Sequence, residues 1–392
     1  MNNSNIHTQW ESCQYDVFDF LRFPLVILVI YIHSTIGIPD GPIFFDDTID
    51  IVNLGILLRI YISNIISSTC VPTFFLISGY LFYNKQTSFN LLVFKEKLKR
   101  RFHSLAIPYF LWIILFFIIS ALLMIPGANS FYEWKDSVAK YIIEHGYLRI
   151  FYDSNIIGTE PYNLPIGWEQ DHSAPLLFTF WYLRDLIVTI LISPFLYAVT
   201  RWFRVYFILL LGVAYIFNIW PCVHGFSIVS IFYFTLGIYL SSNPNIMNFI
   251  LRRYNWPIII FGSALSLVSL YLYSVNSHYY NYIIHIFTII GVFLALYIGW
   301  FFINKGARPI NQLKNSAFFI YAAHMIYINR YCTLLMLKIM PWDNPLCGLL
   351  CYLLIPLIIA FVCLCIFCLA HTFFPHVLSL LNGGRTSQVP YK

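Results

Sequence analysis

The sequence predicts an all-α integral membrane protein, a bundle of about ten transmembrane helices with both termini in the cytoplasm. Three observations predict this class. Of the 392 residues, 59% are hydrophobic and only 10% are charged, whereas soluble domains carry about 25% charged residues. Long apolar runs recur along the chain. Lys and Arg residues are concentrated in alternate connections between these runs, as is typical of a protein that crosses a membrane repeatedly.

Each predicted helix is an apolar run close to the length that a bilayer requires, which is about 20 residues. The fifth and sixth runs are short, and Trp220-Pro221 separates them. The ten runs are 17–38, 54–84, 104–126, 173–199, 205–220, 225–242, 257–275, 281–303, 315–338 and 347–371.

The charges of the connections predict the orientation of the bundle. With the N-terminus in the cytoplasm, the inner connections hold fifteen Lys and Arg residues. The outer connections hold only Lys135, Lys140 and Arg149, with Lys338 at a boundary. Because Lys and Arg concentrate on the cytoplasmic side of membrane proteins, this asymmetry supports the chosen orientation.

The orientation divides the chain into three parts. Residues 1–16 form a cytoplasmic N-terminal segment, 17–371 the transmembrane domain and 372–392 a cytoplasmic tail. Within the domain, 127–172 is a large extracytoplasmic loop that is rich in aromatic residues. These rings suit either a platform for sugar rings or contact with the membrane interface. The expected location is the cell membrane, a bacterial inner or plasma membrane.

Composition argues against two other classes of site. The net charge of +6 arises from short connections that set topology, so no nucleic-acid partner is expected. Cys365, Cys368 and His371 have the spacing of metal ligands, but no second cluster completes a tetrahedral site, and no metal is expected. The sequence leaves a disulfide between Cys222 and Cys347 open, and it does not indicate an oligomeric state.

The first helix carries three ionisable residues on one face. Arg22 and His33 are eleven residues apart, so they point within roughly 20° of each other and lie about 16 Å apart along the helix. Asp19 precedes Arg22 by one turn and can pair with it. Ionisable groups are costly in lipid and mark functional sites by default. The alternative is a packing network in which Asp19–Arg22 is a structural pair.

Five short motifs, in order, resemble the acyltransferase-3 family. Together they span residues 15 to about 370, almost the whole chain. The motifs are Tyr15 to Arg22 followed by ten residues and His33, the Phe-rich segment Val71–Leu81 with Ser78-Gly79-Tyr80, the basic run Lys95–Arg101 before Pro108-Tyr109, Trp181–Leu186, and Phe319–His324.

The resemblance implies ten core helices, an acyl-CoA donor that enters from the cytoplasm, and an extracytoplasmic acceptor such as a glycan. Acyl-CoA, in particular acetyl-CoA, would be a co-substrate, with no permanently bound cofactor. One departure concerns the basic run. Many family members carry Arg-x-x-Arg, whereas here Ser104 follows Arg101 at the position of the second arginine.

The chemistry of acyl transfer assigns roles to the first helix. Transfer from a thioester to a hydroxyl requires a base, and a neutral imidazole is suited to this near pH 7. His33 is therefore the predicted base, and Asp19 and Arg22 form a pair that either supports it or positions the donor. Whether transfer is direct or passes through an acyl-histidine is left open.

The phosphates of coenzyme A require cations. The basic connection supplies Lys97, Arg100 and Arg101, although these residues also serve as topology determinants. Ser78 and Tyr80 of the second motif complete the predicted donor site.

Four further residues are predicted at the edge of the site. Arg184 and Asp185 form either an internal ion pair or a substrate contact. His324 is either a second catalytic or acceptor-binding group or a core hydrogen-bonding residue, and Tyr321 belongs to the same motif.

The function predicted from these patterns is transfer of an acyl group, in particular acetyl, to a hydroxyl of a cell-surface or lipid-linked glycan. The alternative is a transporter or flippase of a lipid-linked or small polar substrate, since such proteins also embed charged residues. The absence of paired broken helices in the sequence pattern argues against transport.

Overall fold

The computed structural model describes residues 3–34, 51–84, 89–127, 130–156, 173–221, 223–341 and 344–385. These residues are almost entirely helical. The α-helices are α1 Asn3–His33, α2 Ile51–Arg59, α3 Cys70–Tyr83, α4 Leu91–Arg101, α5 Ile107–Leu123, α6 Phe131–His145, α7 Trp181–Phe203, α8 Val205–Ile216, α9 Ile228–Ser242, α10 Pro244–Arg253, α11 Asn255–Ser274, α12 Tyr280–Asn304, α13 Asn311–Ala323, α14 Asn329–Ile339, α15 Pro345–Phe373 and α16 Pro375–Leu381.

The structure supports a membrane protein. Six helical segments are long and apolar enough to cross a bilayer, and they are Val52–Tyr83, Leu91–Gly127, Phe178–Phe203, Asn255–Ser274, Tyr280–Asn304 and Pro345–Phe373. Helices α8 and α9 are apolar but shorter. All ten predicted runs overlap helix, but ten spans and the cytoplasmic placement of the termini stay predictions, as does the division into inner and outer segments.

Several boundaries differ from the sequence prediction. Helix α1 begins at Asn3 rather than at residue 17, so the predicted N-terminal segment is continuous with the first helix. Residues 35–38, Cys222 and 157–172 of the predicted outer loop lie outside the described residues. The described part of that loop contains α6 and a short antiparallel pair, β1 Asn155–Ile156 with β2 Ser173–Ala174.

Glycines allow two helices to pack in close contact at the centre of the bundle. A Cβ at Gly79 of α3 would overlap the backbone carbonyl of Phe234, and a Cβ at Gly237 of α9 would overlap the carbonyl of Leu76. Such small residues let transmembrane helices approach backbone to backbone. This contact fixes α3, which carries part of the predicted donor site.

Several of the apolar segments are not continuous α-helix: a π-helical turn, Phe102–Ala106, joins α4 to α5, and two further segments are interrupted. Between α2 and α3 the chain forms a π-helical turn, Ile60–Ile65, and a 3₁₀ turn, Ile66–Thr69. Between α13 and α14, Ile326 and Tyr327 leave the helical conformation, and Tyr327 adopts a φ of 59°. The sequence pattern did not predict these interruptions, because apolar periodicity continues through both segments. The second break leaves His324 at the end of α13.

Candidate active site

A cavity of about 140 Å³, the basic cavity, lies among α1, α3, α7 and α13. Its cations are Arg22, Arg101, Lys314 and Arg385. None of the described residues that line it carries a carboxylate. The remaining lining residues are apolar or hydroxyl-bearing: Val26, Phe74, Ile77, Ser78, Leu81, Leu105, Tyr182, Leu183, Leu186, Ala317, Phe318 and Tyr321. Positive charge in a largely apolar enclosure favours an anionic ligand.

Asp19 does not line the cavity, but its carboxylate pairs with two of the cations that do. One carboxylate oxygen lies 3.0 Å from Nη1 of Arg22, and the other accepts a hydrogen bond of 3.1 Å from Nζ of Lys314. The predicted Asp19–Arg22 pair is therefore present, and Lys314 of α13 extends it. Since one carboxylate faces two cations here and the cavity holds two more, the region keeps an excess of positive charge.

Helix α4 positions Arg101 at the cavity. Asn90 caps this helix, because its side-chain oxygen accepts hydrogen bonds from the backbone N–H groups of Leu92 and Val93. At the last residue of the helix, the Arg101 guanidinium lies 6.0 Å from the centre of the Phe82 ring. This cation–π contact with Phe82 helps to hold the Arg101 guanidinium beside the cavity.

The imidazole rings of His33 and His324 stack on each other. Their centres are 5.6 Å apart, with an angle of 28° between the ring planes. The ring of Phe178 meets His33 edge to face at 5.1 Å. Asn329 donates a hydrogen bond of 2.8 Å to the backbone carbonyl of His33. Both histidines therefore hold fixed positions where α1 meets the broken segment.

The hydrogen bonding of His324 assigns its proton. Nδ1 lies 2.7 Å from the backbone carbonyl oxygen of Tyr321, which can only accept, so Nδ1 carries the hydrogen. In the neutral ring, Nε2 then carries a lone pair. Nε2 is buried and has no hydrogen-bond partner among the described residues. A buried lone pair without a partner is a proton acceptor available for chemistry.

A second cavity, of about 400 Å³, includes two residues that contact His33, namely Phe178 and Asn329. Its other lining residues are Phe116, Leu176, Leu177, Met325, Tyr327, Arg330, Thr333, Leu334 and Leu337. Tyr321 lines the basic cavity, and its ring centre is 6.2 Å from that of His324. Neither histidine lines either of these two cavities directly, but the stacked pair lies against lining residues of both.

The structure separates the predicted donor residues into two groups. Ser78 and Arg101 line the basic cavity. Tyr80 is not among its lining residues: its hydroxyl donates to Gln14 and accepts from Trp10. Lys97 donates to the backbone carbonyl of Phe82, and Arg100 is exposed to solvent outside the cavity.

Arg184 and Asp185 form a buried ion pair with Nη2 and Oδ1 2.9 Å apart. Arg184 also donates to the backbone carbonyl of Tyr152 and to the hydroxyl of Ser173. Neither member of the pair lines the two cavities. The pair thus ties α7 to the described part of the predicted outer loop, which is the first of the two alternatives that the sequence left open.

Sequence reasoning missed Lys314, Arg385 and Asn329 as residues of this region. Lys314 and Arg385 were assigned only to the positive charge of the inner connections. The excess of cations over carboxylates near the predicted cytoplasmic side was the one feature that could have indicated a role in binding. Asn329 lies five residues after His324, beyond the break. The only feature of the sequence that could have indicated it is that a polar residue occurs inside an apolar run. Among the described residues, no group of three or more His, Cys, Asp and Glu side chains has the arrangement of a metal site.

Comparison with known proteins identifies one family. The sequence model of the acyltransferase domain matches residues 15–380, so the match includes both histidines and all but one of the cations of the basic cavity. The exception is Arg385. No curated protein and no solved structure matches the chain significantly.

Proposed function

Because this chain belongs to the acyltransferase-3 family of membrane proteins, we propose that it moves an acetyl group from cytoplasmic acetyl-CoA to a hydroxyl of an extracytoplasmic glycan. The observation that carries the proposal is that the stacked His33–His324 pair lies against lining residues of both the basic cavity and the second cavity. A donor with phosphate groups and an acceptor with hydroxyl groups need two such sites that meet at one base.

The basic cavity is the proposed donor site. Arg22, Arg101 and Lys314 bind the phosphates of coenzyme A, since ionised donors make the strongest hydrogen bonds to phosphate oxygens. The apolar wall formed by residues such as Val26 and Leu186 accommodates the pantetheine arm and leads past Tyr321 to the histidines. The close packing of Phe178 and His324 on His33 favours a small acyl group.

The second cavity is the proposed acceptor site. Its wall is mainly apolar, with Asn329, Thr333 and Arg330 as its polar groups. This combination suits an amphiphile that carries sugar hydroxyls next to an anionic or lipid part. A cell-surface or lipid-linked glycan has this character, and its approach from outside agrees with the predicted orientation in the cell membrane.

In the proposed reaction, His33 removes the proton from the acceptor hydroxyl as the oxygen attacks the thioester carbonyl. The new C–O bond forms, the C–S bond breaks, and the proton passes to the leaving thiolate, so that free coenzyme A and an O-acetyl ester result. Nε2 of His324 is a second proton acceptor within the same stacked pair. Positioned bases of this kind accelerate transfer by about 10²–10⁴-fold.

A transport function is the second candidate, because the interrupted segment between α13 and α14 lines the second cavity, and interrupted helices form the substrate sites of many transporters. Mass spectrometry of surface glycans tests both candidates. Cells with the intact gene should carry O-acetyl groups that disappear on deletion and in His33→Ala, but persist in His278→Ala, which changes an exposed histidine. Unchanged acetylation in the deletion strain, with altered export of the glycan, would instead favour transport.

A further inference from the structure

The end of α16 and the turn that follows it are each anchored to the bundle by a hydrogen bond. Trp112 of α5 donates a hydrogen bond of 2.8 Å to the backbone carbonyl of Leu381. Asn382 donates one of 2.8 Å to the backbone carbonyl of Asn315 in α13. The turn therefore has a defined position between α5 and α13, beside the basic cavity.

Two glycines give the turn its path. Gly383 and Gly384 have φ angles of 62° and 76°, a conformation that glycine adopts without steric cost. A Cβ at Gly383 would also overlap the backbone of Ser104. Because Gly383 packs closely against Ser104, the turn places Arg385, two residues later, in the basic cavity.

Arg385 is held there by contacts that leave most of its guanidinium donors available. Its guanidinium carbon lies 4.2 Å from the centre of the Phe318 ring, a stacking contact. Nη1 donates a hydrogen bond of 2.7 Å to the backbone carbonyl of Asn382. Arg385 forms no ion pair with a carboxylate among the described residues. Burial, together with the charges of Arg22 and Arg101, lowers the pKa of Arg385 to about 9.

Three arginines and Lys314 around one cavity repel one another, because their like charges lie close together. An anion of several charges in the cavity would relieve this repulsion. Asp19 neutralises at most part of it, and its contacts are to Arg22 and Lys314 rather than to Arg385. Among the described residues, no carboxylate therefore pairs with Arg385.

We propose that Arg385 is a donor-binding residue and that the C-terminal turn 382–385 is part of the acyl-CoA site; this rests on the proposed function. The turn brings an arginine beside Arg101, next to Ser104, the position at which the sequence departs from the family pattern. The phosphate groups of coenzyme A are the ligand class. A planar guanidinium can donate two parallel hydrogen bonds to two phosphate oxygens, a fixed geometry that the ammonium group of Lys lacks.

Calorimetric titration of the purified full-length protein with coenzyme A at low ionic strength tests this assignment. Arg385→Gln should weaken binding by about 10–100-fold, the loss typical of one hydrogen-bonded charge. Arg385→Lys keeps the charge but loses the planar guanidinium. Its affinity for coenzyme A should lie between that of the wild-type protein and that of Arg385→Gln. Arg253→Gln changes an exposed arginine at the end of α10 and should bind as the wild-type protein does.

Gly383→Val provides a second variant that displaces the turn and leaves the arginine in the sequence. It should also weaken binding, and both variants should elute as the wild-type protein does in size-exclusion chromatography. Equal affinity of the wild-type protein and Arg385→Gln would overturn the role of Arg385 alone. Failure of the wild-type protein to bind coenzyme A would overturn the proposed function and this assignment with it.

Discussion

His33 at the end of α1 and His324 directly after α13 bring their imidazole rings into a stack, with centres 5.6 Å apart. The first residue is fixed by the continuous helix α1, and the second by the break that follows it at Ile326 and Tyr327. The same two helices meet again at Asp19 and Lys314. One helix contact therefore contains both the proposed proton acceptors and part of the proposed phosphate site.

Replacing His33 by Ala should lower the acetyl-transfer rate by about 10²–10⁴-fold, because the base of the reaction is lost. Coenzyme A affinity should stay near the wild-type value, since His33 does not line the basic cavity. The rate is measured as thiol release from acetyl-CoA, and affinity by calorimetry. If the two histidines act as a unit, His33→Ala/His324→Ala should be no slower than the slower single variant. A fully active His33→Ala protein would refute the assignment.

Arg22→Gln should weaken binding of coenzyme A by about 10-fold. This is the lower end of the loss in affinity expected when one hydrogen bond to a charged group is removed, because Arg22 is partly exposed to solvent. Thermal stability should change little. From the sequence alone, loss of Arg22 would leave Asp19 unpaired, but the structure gives Asp19 a second partner, Lys314, at 3.1 Å. Arg308→Gln, at an exposed position, is the control. A large fall in the unfolding temperature with unchanged affinity would show that Arg22 is structural.

Gly237→Ala should destabilise the bundle by about 1–3 kcal/mol, the usual cost of overfilling a packed interior. The added methyl group would overlap the carbonyl of Leu76, a backbone atom that cannot turn aside as a side chain can. The matched control is Gly127→Ala, since a Cβ there meets nothing within 4 Å. Apparent unfolding temperatures in detergent compare the two variants. Equal temperatures would show that α3 and α9 can separate at little cost.

Cysteine labelling in intact cells tests the predicted orientation. Ser137→Cys in α6 should react with a membrane-impermeant maleimide from outside, whereas Lys95→Cys in α4 should react only after the cells are permeabilised. Both side chains are exposed, so access depends on the side of the membrane. The protein without either added cysteine gives the background from its native thiols. If only Lys95→Cys is labelled in intact cells, the true orientation is the reverse of the predicted one.

Much of the helical framework was predictable, because apolar length and helical period are local properties of the chain. The shared face of Asp19, Arg22 and His33 followed from helix geometry alone, and the Asp19–Arg22 pair is present. The family was indicated by motifs that lie in order along the chain, and the match over residues 15–380 confirms it. The interruption at Ile326 and Tyr327 was not predictable, since hydrophobic periodicity does not change there.

The sequence by itself determined the class of protein, its helical segments, its family, and which ionisable residues lie along α1. Only the tertiary structure decided which residues from distant segments join them: His324 beside His33, Lys314 on Asp19, and Arg385 in the basic cavity. It also showed that Tyr80 bonds to the N-terminal part of α1 rather than lining that cavity. The physical reason is that composition and periodicity act within a segment, whereas each of these contacts depends on how two segments far apart in the chain pack together.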